Sequence, residues 1–259
     1  MDAERVLELV RVVSSINEST RGKAMGNVRE LLSSRMGPTT VKFDTGRGGT
    51  PDLTTQDIAA ALGMVPAGLG RELLEALWWP ESAARRIDHL RKAVIALVAP
   101  EYNRHQQVLS LARTEYGIAK TCMGWAGNAV TDMQRREFAR AEAKLEGTRA
   151  LCWPISTMEQ LGGLAVAVIG EMAAAGCCKR CEGLRTQAAP EGTGVVECEA
   201  CDGSGLEQLS GRKRATAIGA DYSAYSRFWQ PVYEWMLIQM RAAENEAARQ
   251  FGQALSRAA

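Results

Sequence analysis

The amino-acid sequence predicts a mainly α, multi-helix protein that carries one four-cysteine loop in its last third. Three observations lead there. Apolar residues recur at helical spacing along most of the chain. Few stretches read as strands. The segment Cys178-Lys-Arg-Cys181 … Cys198-Glu-Ala-Cys201-Asp-Gly203-Ser-Gly205 holds two Cys-x-x-Cys pairs, separated by sixteen residues. With 259 residues the chain can form one or two domains, and its formal net charge is only +1. It is not a polycation, so any nucleic-acid binding must come from a local patch.

In chain order, residues 3–16 place Val6, Leu9, Val10 and Val13 at helical spacing. Residues 36–53 are rich in Gly, Thr and Pro and read as a flexible linker. Residues 1–53 are therefore taken as a helical N-terminal segment with its linker. Thr54 or Thr55 caps a helix over Gln56–Leu62 that Gly63 ends. A second helix follows Pro66. The run from Ile58 through Leu62-Gly63 suits a helix-turn-helix, with packing or partner contact as strong a reading as base contact. Trp78-Trp79 is read as core. Residues 81–99 form a helix with Ile87, Leu90, Val94, Ile95 and Leu97 as apolar positions, stopped by Pro100. Helices over 103–119 and 127–146 complete a helical body over 54–155.

The third region, 156–259, begins with an apolar helix over 156–175, read as buried. The four-cysteine loop follows, with a short ribbon at Val195–Val196. Next comes a helix over about 209–219, then a last helix over about 230–255. There Trp229, Val232, Tyr233, Met236, Leu237 and Met240 form one face, and Pro231 suits the first turn. The longest apolar run, near Leu161–Gly170, is too short to span a membrane. The start of the chain lacks a signal-peptide pattern, so a soluble protein is expected.

The spacing of the two cysteine pairs falls in the range of a four-cysteine zinc site. Cys178, Cys181, Cys198 and Cys201 are the expected ligands of one structural Zn²⁺. Four thiolates fill a tetrahedron and leave no open position for water. A redox dithiol is the other reading, but such a pair usually sits at a helix start after a strand. Seven cysteines with a metal site suggest a reducing compartment. Cys177 is a possible alternative ligand; Cys122 and Cys152 read as small buried apolar residues.

Charge around the loop is uneven. Lys179, Arg180 and Arg185 lie on its first side, Glu191, Glu197, Glu199 and Asp202 on its second, and Arg212-Lys213-Arg214 beyond it. Folded back on a metal, the loop could bring both basic clusters to one face for phosphate contact. Three consecutive bases on a solvated helix are the plain alternative. The two histidines, His89 and His105, have no catalytic partner motif beside them, and no phosphate loop or nucleophile elbow is present. No enzyme is expected.

Four segments occur in a set order: DIAAALGMVPAGLG (57–70), KLEGTRA (144–150), the double Cys-x-x-Cys-x-Gly unit (178–205) and YSRFWQPVYEWMLIQM (225–240). Together they cover roughly a third of the chain and resemble the lambda-type late-gene antitermination proteins (Q) of lambdoid bacteriophages. The resemblance implies a helical protein whose four-cysteine zinc loop is inserted in a helix-turn-helix-like DNA-binding region. The helices at 160–175 and 209–219 would flank the loop, and the second would enter the major groove. Lys179, Arg180, Arg185, Arg212, Lys213 and Arg214 would carry the DNA contacts.

The implied partners are a double-stranded late-promoter element, paused host RNA polymerase holoenzyme and host elongation factors, in the bacterial cytoplasm at the nucleoid. The chain departs from the pattern in two places. Leu184-Arg185 follows Gly183 where a second glycine belongs, and there is extra helical sequence at the N-terminus and over 81–145. The DNA site should differ accordingly. Two rivals stand beside this reading: a zinc-containing DNA-binding regulator without antitermination activity, and a DnaJ-like zinc module. The latter lacks its usual four repeats and its His-Pro-Asp here.

Overall fold

The computed structural model describes Leu32, residues 54–79 and residues 86–258 except 175, 177, 183, 185, 189–193, 202 and 204. The expected helix at 3–16 and linker at 36–53 lie outside the described residues. The rest is mainly helical. The helices are α1 (Thr55–Met64), α2 (Leu69–Trp78), α3 (Ile87–Ala126), α4 (Asp132–Leu151), α5 (Thr157–Ala174), α6 (Gly211–Ala217) and α7 (Gln230–Ala258). The strands β1 (Thr186–Ala188) and β2 (Val195–Glu197) pair antiparallel, Thr186 opposite Glu197.

The chain forms two compact units. One joins the described residues up to Val94 with those of Leu161–Ala259; the other is Ile95–Gln160. These boundaries differ from those read in the sequence, because α7 folds back onto α1 and α2.

In the first unit, the Thr54 hydroxyl accepts from the Asp57 N–H and the Asp57 carboxylate accepts from the Thr54 N–H, a reciprocal cap that starts α1. Gly63 stays inside this helix. The stop comes at Val65, held extended (ψ 127°) by the ring of Pro66 after it. Ile58, Ala61, Leu62 and Val65 bury against Leu74 of α2 and Ala247, Phe251 and Leu255 of α7, with Trp78 and Trp79 packed at the edge. At Gly70 the backbones of α2 and α7 nearly touch: a Cβ there would lie 2.3 Å from the Ala243 carbonyl oxygen.

The last helix follows the expected face. Val232, Tyr233, Met236, Leu237 and Met240 are all buried, while Trp229 is half-buried and precedes the helix. Its entry differs from expectation. A helical turn at Tyr222–Ala224 and a π-helical turn at Tyr225–Trp229 run straight into α7, so Pro231 sits within continuous helix. The wide turn removes the clash that a proline ring makes with the carbonyl four residues back.

The second unit is a helical hairpin of α3 and α4. Pro100 does not end a helix: α3 runs through it for 40 residues. Its missing N–H forfeits one bond, which a long cooperative helix tolerates. Thr131 and Gln134 form the capping box that starts α4. Leu109, Ala112 and Leu145 form a small core, with Tyr116 and Cys152 against it. His105 stacks on Trp153 at 4.9 Å. Tyr102 Oη donates to the Ile155 carbonyl at 2.9 Å, fastening the turn after α4. Cys152 is half-buried, but Cys122 is exposed, contrary to the sequence reading, because it lies off the face of α3 that carries this core.

Candidate metal centre and basic helix

Each cysteine pair sits in a tight turn next to one strand of the β1–β2 ribbon, and the ribbon folds the pairs together. Cys178 Sγ lies 3.9 Å from Cys198 Sγ, and Cys181 Sγ lies 3.7 Å from Cys201 Sγ. All four sulfurs fall within 4.8 Å of one another and all four residues are buried. Sulfurs held about 2.3 Å from one ion stand about 3.8 Å apart at the corners of a tetrahedron. The donor set therefore fits a single thiolate-bound metal ion.

The backbone supports the same reading. Peptide N–H groups of Cys181 and Arg180 point at Cys178 and pull its thiol down to about 7. The Gly205 N–H donates to Cys201 Sγ at 3.3 Å. Burial acts oppositely on Cys201, raising its thiol to about 11. Four thiolates buried together repel one another, so the full set ionises only around a cation. Gly203 (φ 68°) and Gly205 (φ 76°) take left-handed conformations that turn the chain around the second pair. In the first pair Glu182 (φ 51°) does this without being glycine. The Cys178 N–H to Gly205 carbonyl bond (2.9 Å) and the Glu207 N–H to Gly176 carbonyl bond (2.8 Å) close the neck of the loop.

The basic residues separate into groups. Lys179 and Arg180 are exposed, each beside an acid: Glu207 at 3.2 Å and Glu199 at 3.7 Å. Such surface pairs contribute about 0–1 kcal/mol and exchange readily for phosphate. Arg185 lies outside the described residues. Arg212 and Lys213 are exposed on α6, with Arg212 over the Tyr222 ring at 5.9 Å.

Arg214 departs from its expected role as a DNA contact. It is buried, and its guanidinium donates twice to Glu171 of α5, at 2.8 and 2.7 Å. A residue advances about 100° around a helix, so Arg214 points inward with Ala215 while Arg212 and Lys213 point out. Burial opposes its charge, but the Glu171 carboxylate overcomes this and holds the guanidinium above its ordinary value. Tyr233 of α7 donates to the same carboxylate at 3.0 Å and to the Ala167 carbonyl at 3.1 Å. Arg241 stands 3.7 Å from Glu171, with no hydrogen bond at Nε or Nη2. One buried carboxylate thus ties together the helix before the loop, the helix after it and the last helix.

Glu171 and Tyr233 were not among the site residues read from the sequence. One signal was available: Glu171 is the sole charged residue in the run 160–175, and a lone buried acid needs a cation. No described helix is long and apolar enough to cross a membrane. No protein-family model matches the chain, and no curated protein or solved structure matches it significantly.

Proposed function

We propose that this protein is a zinc-stabilised DNA-binding factor of the phage late-gene antitermination type. The four-thiol cluster holds one structural Zn²⁺, and the loop around it serves as an enlarged turn between α5 and α6. In this helix-turn-helix-like arrangement α6 enters the major groove at a late-promoter element. Arg212 and Lys213 face the DNA, and Lys179 and Arg180 on the loop give phosphate contacts. Arg214 holds α6 in place through Glu171 and touches no base. Bound there, the protein loads onto host RNA polymerase paused close by, at a local concentration set by the DNA, and the modified polymerase reads through terminators. The setting is the bacterial cytoplasm, with host elongation factors assisting.

The observation that carries the reading is the buried four-thiol cluster placed between α5 and a helix that presents Arg212 and Lys213 outward. The order of the four resembling segments supplies the antitermination half. The DNA-binding half is tested by titrating the cognate promoter duplex against wild type, R212A and K213A across a salt series. Each variant should bind more weakly, with a salt slope reduced by about 1. Unchanged affinity in a folded double variant would remove α6 from the interface.

A further inference from the structure

The α3 helix of the second unit carries an apolar stripe that its own hairpin does not cover. Val108, Leu111, Ile118 and Trp125 are 45, 65, 60 and 85 % exposed, and Cys122 is exposed with them. With Glu115 they occupy positions 108, 111, 115, 118, 122 and 125, the alternating three-and-four spacing of a coiled-coil seam. The seam is about 26 Å long. Beside it stand Ser110, Thr114, Gly117, Thr121 and Gly124, small and uncharged. At Gly117 and Gly124 an added Cβ would meet nothing within 4 Å. The outer side of α4, by contrast, is strongly charged.

We propose that this face pairs with the same face of a second copy of the chain, antiparallel. Charge permits it: Glu115 is the one ionised residue of the seam and Lys144 neutralises it at 2.5 Å, so two copies meet without like-charge repulsion. Side-chain size selects the direction. In an antiparallel register Trp125 faces Val108 of the second copy, Leu111 faces Cys122, and Glu115 faces Ile118. Large side chains then oppose small ones in the outer layers, as close packing requires. A parallel register would stack Trp125 on Trp125 and leave Val108 opposite Val108. A groove of about 650 Å³ between α3 and α4 runs beside the seam, bordered by Ile118, Cys122 and Ala141 together with the charged Glu137, Arg140 and Lys144. The proposal is independent of the DNA-binding reading.

Light scattering on the full, metal-loaded chain tests it. Wild type should show twice the 28.1 kDa chain mass, and I118E should revert to single mass with unchanged helicity and metal content. Mild oxidation of L111C should give a covalent dimer on a non-reducing gel, absent from wild type and from L111C carrying C122S. A wild-type monomer up to about 100 μM would overturn the proposal, since even a modest contact associates there. So would a dimer that survives I118E, which would use another face. A disulfide dimer in oxidised wild type would point to the parallel register and overturn the antiparallel one.

Discussion

Two arginines on α6, two residues apart, lie in opposite surroundings. Arg212 is exposed, while Arg214 is buried against Glu171. Removing one partner of a buried pair strands the other charge, at a cost of about 3–5 kcal/mol. R214A should therefore unfold at much lower urea, whereas R212A should leave stability within about 0.5 kcal/mol. Urea titration followed by circular dichroism checks both; equal midpoints would contradict the buried assignment. The clustering of the four cysteines was legible because their spacing is local and chemically specific. The fate of Arg214 was not, because its partner lies 43 residues away and its direction depends on where α6 begins. Cys122 was misjudged for a similar reason: composition makes a lone cysteine look buried, and only the hairpin's packing decides.

At the scale of elements, caps and apolar stripes were readable, and breaks were less so. The cap at Thr54 and the face Val232–Met240 follow from neighbouring residues. Gly63 and Pro100 sit inside helices because packing and cooperativity outweigh local preference. Close approach of α2 to α7 at Gly70 predicts that G70A overpacks the contact and destabilises by about 1–3 kcal/mol, read by denaturant midpoint. An unchanged midpoint would mean that the two helices stand further apart. The cap also has a pH signature. Hydrogen bonds from the Thr54 hydroxyl and backbone hold the Asp57 carboxyl below the usual carboxylate range. Its folded value is depressed, so its contribution is present at neutral pH and is lost as pH falls through that lowered value. Melting temperatures of wild type and D57N should differ near neutral pH and converge once pH has fallen below the usual carboxylate range.

For the whole molecule, the division into units escaped the sequence because α7 returns to α1 and α2, an arrangement no local pattern encodes. The mainly helical fold and the four-cysteine cluster were legible; the hub that joins α5, α6 and α7 was not. If the loop depends on its ion, each chain binds one Zn²⁺. Chelation should then abolish promoter binding while most helical signal persists, since the described helices lie outside the loop. Metal analysis and circular dichroism on the same sample check this, and full binding by metal-free protein would contradict it.

Single-round transcription from the cognate late promoter through a terminator tests the proposed zinc-dependent antitermination. Read-through should require both the promoter element and this protein, and C198S should abolish it. Tight promoter binding with no read-through, in reactions where host polymerase and factors are active, would contradict it.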